Sequence, residues 1–343
     1  MSTPPLLQVE NLCVDYITEQ GDVRAVEQVS FNIAPGEVFG LAGESGCGKS
    51  TVAFAVAGLH RPPAFVSGGR ILFEGEDIAR ASEQRLNHYR WRQVSVVFQS
   101  AMNALNPVLR LSEQFRDVLM RHGACRNKAE ALARAEELLK IVDIHPSRLH
   151  DYPHQFSGGM RQRLVIAIAL ALNPRLIVMD EPTTALDVVV QREILQKIWE
   201  LKERFGFAVL FITHDLSLMV EFSDRIGIMY AGQLVELGQA KAIFEQPQHP
   251  YTQGLANSFP ALHGEHKRMS GIAGSPLSLL NIPPGCRFQA RCQQVHELCR
   301  QVAPELHNLS QARASRCHLH LHPLVQPAHA IPLRSLAHQQ EAS

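Results

Sequence analysis

Apolar positions along this 343-residue chain change period several times, and each change predicts a different element. Residues 6–14, 29–33 and 37–42 carry alternating or continuous apolar runs and read as strands. Glycine and serine punctuation over 43–48 gives way to a helical pattern over 49–59. A second β stretch over 69–78 follows the Gly68-Gly69 pair, and 94–99 reads as a short buried strand. Helical periodicity then dominates from about 112 to 171, clearest over 128–142. Strands over 176–180 and 208–213 flank a helix over 188–204. Such alternation requires crossover connections and predicts an α/β fold with a mostly parallel sheet. Residues 225–238 read as strand, a turn at Ala231-Gly232, and strand.

Periodicity fades near residue 246, where Pro, His, Cys and Gln accumulate. A boundary at 245–255 therefore divides a domain over 1–250 from a smaller C-terminal domain over 251–324, with 325–343 expected to be disordered. No internal repeat is visible. Hydrophobic residues make up 45% of the chain, enough for a sizeable core. Lys plus Arg (33) equals Asp plus Glu (33), so no overall basic field points to nucleic acid. The longest apolar tract, 164–179, is interrupted by Asn173, Pro174 and Arg175; it reads as a buried helix and strand, not a membrane span. Residues 1–10 lack the basic start and apolar run of a secretion signal.

Candidate chemistry begins with Gly43-Glu44-Ser45-Gly46-Cys47-Gly48-Lys49-Ser50, which fits G-x-x-x-x-G-K-[ST] between a predicted strand and a predicted helix. Glycines let the backbone curl so that successive N–H groups face phosphate oxygens, and the helix start adds unpaired donors. Lys49 suits the β- and γ-phosphates, Ser50 suits Mg²⁺, and Thr51 follows in the helix. The apolar strand over 176–180 ends in Asp180-Glu181, at the carboxyl edge where parallel sheets bind ligands. Alone, that pair reads as a structural ion pair. After a phosphate loop, Asp180 suits the Mg²⁺ shell and Glu181 suits orienting and deprotonating a water. Ser157-Gly158-Gly159 precedes a helical run and offers a second anion-binding helix start. Two phosphate-binding features on one nucleotide imply a site composed from two subunits.

At this point the sequence resembles the ABC-transporter ATPase family over roughly residues 5–250. The resemblance implies a P-loop NTPase fold of ABC-ATPase type: a mostly parallel sheet with antiparallel β and helical subdomains, the helical one over about 100–171. Ser157-Gly158-Gly159 stands at the family's signature motif, with Phe156 and Met160 replacing the commoner leucine and glutamine. Gln99 matches the Q-loop glutamine, which contacts Mg²⁺ and water and couples them to the membrane subunits. Ala185-Leu186-Asp187 matches the D-loop, and His214 the switch histidine that contacts the γ-phosphate. Tyr16 stands where the family stacks a ring on adenine. Together these imply hydrolysis of ATP with Mg²⁺. They also imply a head-to-tail pair in which one phosphate loop faces the partner's signature serine.

Farther on, Met229-Tyr230-Ala231-Gly232, Gln248-His249-Pro250-Tyr251-Thr252, Pro283-Pro284-Gly285-Cys286 and Arg291-Cys292 resemble the tail of dipeptide and oligopeptide importer ATPases. That resemblance implies a subunit on the cytoplasmic face of the cell (inner) membrane. Its partners would be two transmembrane permease subunits and an extracytoplasmic solute-binding protein. It would also pair with a second ATPase chain, commonly a different one, so a heterodimer is expected and a homodimer is the alternative. Nickel or another small solute is the alternative cargo, and a soluble ABC ATPase outside transport the remoter one.

Cys286, Cys292, Cys299 and Cys317 crowd this tail. Four thiolates can bind a [4Fe–4S] cluster or structural zinc, while unligated thiols or disulfides are the plainer readings. The absence of a C-x₂-C pair departs from ordinary zinc ribbons, and similar importer tails imply the iron–sulfur cluster.

Overall fold

The computed structural model describes residues 4–98, 104–183, 186–258, 271–310 and 312–320. Strands β1 (Leu7–Thr18) and β2 (Gly21–Ile33) form a long antiparallel hairpin, after which β3 (Val38–Ala42) leaves for a second sheet. Strands β4 (Ala64–Phe73) and β5 (Glu76–Asp77) return to the first, giving a four-stranded sheet of order β2-β1-β4-β5. The hairpin is longer than the apolar pattern predicts, because β2 starts at Gly21 and not at 29. Register shifts between Val9 and Asp15 swap which face successive residues show, so period-two alternation is lost in the sequence while the ladder persists.

The second sheet contains β6 (Val94–Val97), β7 (Leu176–Asp180), β8 (Ala208–Ile212) and β9 (Arg225–Tyr230), which run parallel with β3. Every residue of β3, β7 and β8 is buried, as the unbroken apolar runs require for strands covered on both faces. Strand β10 (Gln233–Gln239) turns back antiparallel on β9. Two strands the apolar pattern does not reveal, β11 (His307–Ser310) and β12 (Arg313–Ser315), extend the same sheet, whose order is β11-β12-β10-β9-β3-β8-β7-β6. They are short and carry little apolar alternation, so only pairing partners define them. The region after 250 thus reaches back to the edge of the main sheet.

Helix α1 (Lys49–Val56) lies between the two sheets; Val52 and Val56 share one core with Leu12 and Val14 of the first sheet and Leu41, Val178 and Leu210 of the second. Helix α2 (Glu83–Tyr89) follows, and α3 (Leu111–Arg121), α4 (Lys128–Ile141) and α5 (Gly158–Ala169) form a helical layer. Asn127 caps α4 by accepting the Glu130 N–H at 3.0 Å, and Ala131, Ala135, Leu138 and Leu139 supply its buried stripe. Those residues share a core with Phe115, Leu119, Ile166 and Met179, so the layer is fixed to the sheet. Burying each leucine contributes roughly 1.5–3 kcal/mol. Helices α6 (Val188–Phe205), α7 (Leu216–Phe222), α8 (Ala240–Glu245), α9 (Pro250–Asn257) and α10 (Glu297–Gln301) complete the fold. A third core joins Tyr230 and Ile243 to Tyr251 and Phe288, packing the C-terminal region against β9 and β10.

Candidate active site

The loop between β3 and α1 has the curl its glycines predict. Gly43 and Gly48 sit at φ 151° and 104°. A Cβ on Gly43 would fall on the Met229 carbonyl oxygen, and one on Gly48 would lie 2.7 Å from that of Ala25. Only glycine satisfies both the angle and the space. Lys49 is 6% exposed, and its Nζ donates to the carbonyls of Gly43 and Glu44 at 2.8 and 2.9 Å. The loop therefore holds an ammonium group in its own concavity, ready to exchange carbonyl for phosphate oxygens. Cys47 is buried beneath the loop, and desolvation pushes its thiol up, although neighbouring Lys49 opposes the shift.

Strand β7 delivers Asp180 to the same place. Burial pushes its carboxyl up, while a hydrogen bond with the Ser50 side chain and the Lys49 charge act the other way. Its Oδ1 is buried without a hydrogen-bond partner. A buried carboxylate oxygen with spare acceptor capacity beside a hydroxyl fits the oxygen donor set of a hydrated Mg²⁺. Glu181 follows at φ 47°, with its N–H bonded to the Ile212 carbonyl at 2.8 Å on neighbouring β8. Two residues past the end of β8 stands His214, whose Nδ1 lies 3.4 Å from Glu181 Oε1. Tyr16 on β1 brings its hydroxyl to 3.3 Å from that of Thr51 in the first turn of α1.

Ser157 behaves as the predicted N-cap of α5, accepting the Met160 N–H at 3.3 Å. Gly158 and Gly159 open that helix in the helical layer, and a Cβ on Gly159 would meet Val190 Cγ1 at 2.7 Å. Among the described residues, no hydrogen bond links this segment to the phosphate loop of the same chain. Asp187 caps α6 by accepting the N–H groups of Val189 and Val190. Val188 and Val189, at 79% and 69% exposure, form an apolar pair at that helix start which the sequence reading did not single out. Gln99 and Ala185 lie outside the described residues.

The four tail cysteines line one small cavity with His249, Phe288 and His318, about 10 Å³ in volume. All four stand as free thiols, unpaired with one another. Burial pushes Cys286 up to about 11, Cys317 up to about 12, and Cys292 up as well. The expected metal site is corrected in one respect: among the described residues, no group of three or more His, Cys, Asp or Glu side chains is set to hold a metal ion. Burial in this apolar pocket favours the neutral thiols.

Sequence reasoning missed the contacts that tie tail to loop. Arg291 forms a two-bond ion pair with Glu44, at 2.6 and 2.9 Å, and the Tyr251 hydroxyl accepts the Glu44 N–H at 2.9 Å. Arg291 and Tyr251 stood in recognisable segments, but nothing in their spacing signals a partner more than 200 positions away.

Residues 26–184 match the family model described as ABC transporter, and 235–299 match the one described as oligopeptide/dipeptide transporter, C-terminal region. The oligopeptide transport ATP-binding protein OppD of Salmonella typhimurium is 44% identical over 314 residues, 91% of this chain and 93% of that protein. The dipeptide transport ATP-binding protein DppD of Bacillus subtilis is 44% identical over 319 residues, 92% and 94% of the two chains. Among solved structures, the dimeric post-hydrolysis state of the ATP-binding cassette MJ0796, bound to ADP and Pi, superposes with a TM-score of 0.61. It is 28% identical and covers 68% of this chain and 98% of that one.

Proposed function

The chain belongs to the ABC transporter ATP-binding family, in the branch that carries the oligopeptide/dipeptide transporter C-terminal region, and from that premise we propose that it powers peptide uptake. It is an ATPase subunit of an ABC importer. The observation that carries the peptide reading is the joining, in one chain, of the phosphate loop to a tail of the peptide-transporter type. No helix among the described residues is long and apolar enough to cross a membrane, which fits a peripheral subunit whose pore is built by two permease chains. It works at the cytoplasmic face with an extracytoplasmic solute-binding protein. Its ATPase partner is a second, related chain.

The loop from Gly43 to Gly48 and the start of α1 hold the triphosphate, and Lys49 transfers its ammonium hydrogen bonds to phosphate. Tyr16 lies against that helix start and stacks on the base. Ser50 and Asp180 hold Mg²⁺, which when bound neutralises developing phosphate charge. Glu181 orients and deprotonates water, and His214, within reach of it, fixes the carboxylate and senses the γ-phosphate. Ser157, Gly158 and Gly159 serve the partner's nucleotide, and the exposed Val188-Val189 pair suits the closing surface. Gln99 couples the site to the permease. Catalysis is mainly positioning and charge neutralisation.

In the tail, the proposed occupant of the cysteine cavity is a [4Fe–4S] cluster with a structural or redox-sensing role, zinc being the alternative. What supports it is that all four cysteines line the same pocket as unpaired thiols. Iron and sulfide analysis of anaerobically purified protein tests it; a colourless protein with stoichiometric zinc overturns the cluster. For the transport reading, the Glu181→Gln variant should retain ATP binding and lose uptake of labelled di- and oligopeptides by the assembled transporter. Undiminished uptake sinks it.

A further inference from the structure

The ATP-binding loop is gripped from outside by the C-terminal region. Arg291 is 5% exposed in its side chain, and its guanidinium spans the Glu44 carboxylate in a two-bond fork. The carbonyls of Ala273 and Ile272 accept two more of its N–H groups at 2.9 and 3.3 Å, so the guanidinium has little freedom to leave. One residue of the same loop is held twice, because the Tyr251 hydroxyl accepts the Glu44 N–H. Tyr251 is itself wedged between Tyr230 and Phe288, with ring centroids 4.7 and 5.4 Å away. Four residues before Arg291, the buried Arg287 pairs with Glu27 of the hairpin and donates to the Ala231 carbonyl. The tail segment is thus anchored both to the loop and to the hairpin.

Glu44 needs such treatment. It puts a carboxylate on a loop whose work is to surround a polyanion, and an uncompensated charge there would repel the triphosphate. Its Arg291 partner cancels that charge and turns the carboxylate towards the tail. The hydrogen bond to Tyr251 fixes the first peptide of the loop's curl. We propose that Arg291 and Tyr251 are positioning residues for ATP binding: the C-terminal region holds the phosphate loop in its binding shape and shields the nucleotide from Glu44. This rests on reading the loop as the ATP site.

The test is steady-state ATP hydrolysis by the assembled transporter, with calorimetric ATP binding to the full chain. Arg291→Gln should raise the KM and Kd for ATP on the order of ten-fold, the scale of a small displacement of a phosphate-holding loop, while kcat stays within about two-fold. ATP should lose more affinity than ADP, since the added repulsion grows with phosphate charge. Adding Glu44→Gln to Arg291→Gln should restore the share of the loss that comes from the bared carboxylate and remove the difference between ATP and ADP, an outcome that general destabilisation of the tail does not produce. Tyr251→Phe, which keeps the ring packing, should raise KM about three-fold on the same scale and serves if Arg291→Gln does not fold. Unchanged ATP affinity in both single variants overturns the inference while leaving the ATP-site reading intact. A wild-type chain that binds no ATP overturns the reading beneath it.

Discussion

Glu236 on β10 is fully buried, and its carboxylate gathers three donors from the C-terminal side. Its Oε1 accepts the Gln248 N–H at 2.8 Å and an Arg313 N–H at 2.9 Å; its Oε2 accepts the His249 N–H at 2.9 Å. Replacing it by Gln keeps the volume but converts one oxygen to an NH₂ group. Either the His249 N–H or the Gln248 and Arg313 donors then face a donor. A buried donor left unsatisfied costs about 1–3 kcal/mol, and losing one partner of a buried charge pair about 3–5 kcal/mol. These overlap, so Glu236→Gln should destabilise the full chain by about 3–4 kcal/mol. Urea unfolding measures this, and the slope should stay unchanged if only the native state is affected. Amide exchange should quicken at Arg316, whose N–H bonds the Val235 carbonyl at 2.8 Å. The double change Glu236→Leu with Arg313→Met should recover much of the loss, because an apolar pair leaves no buried charge unmatched. A Glu236→Gln loss below about 1 kcal/mol would refute the claim that this carboxylate staples the tail to the sheet.

Lys49→Ala should abolish ATP binding in calorimetry while the melting temperature stays near wild type, because its ammonium hydrogen-bonds only within its own loop, to the Gly43 and Glu44 carbonyls and to Cys47 Sγ. Gly43→Ala should do the same for a different reason, a side chain driven into the Met229 carbonyl, and should also cost about 2–4 kcal/mol in denaturant. In protein stripped of bound metal, Cys286 and Cys317 should resist iodoacetamide near pH 8. Their raised ionisation leaves almost no thiolate until the pH approaches about 11 and 12 respectively, so alkylation followed by mass spectrometry should rise only in strong alkali. Leu139→Ala in the helical layer should cost about 2–5 kcal/mol by the cavity it leaves, read as a shift in urea midpoint.

The parts legible in the sequence are those set by local rules. Strands β3, β7 and β8 are continuous apolar runs because both faces are covered, and their period needs no partner to be seen. The phosphate loop is legible because Gly43 and Gly48 answer a steric demand that only glycine meets. Illegible features depend on pairing. The bulged first half of β2 loses its alternation, and β12 is a strand only because Leu237 and Glu236 stand opposite Ala314 and Ser315. The convergence of four cysteines was readable as crowding, but how closely their sulfurs approach was not.

That division explains why the tail reads as an appendage and behaves as part of the site. Compositionally it is a Pro-, His- and Cys-rich segment beyond the last parallel strand. In three dimensions its polar anchors all fall on the nucleotide-binding half: Arg287 on Glu27, Arg291 on Glu44, Tyr251 on the Glu44 peptide, and Arg313 on Glu236. Cys292 immediately follows Arg291, and Cys286 immediately precedes Arg287. Any group that draws the two cysteines together must also set the backbone from which both arginines reach. Were the cavity filled, removing its occupant should weaken ATP binding more in the wild-type chain than in Arg291→Gln, where the link to Glu44 is already cut. Equal losses in both proteins would separate the cysteine cavity from the loop and leave it a purely structural clasp.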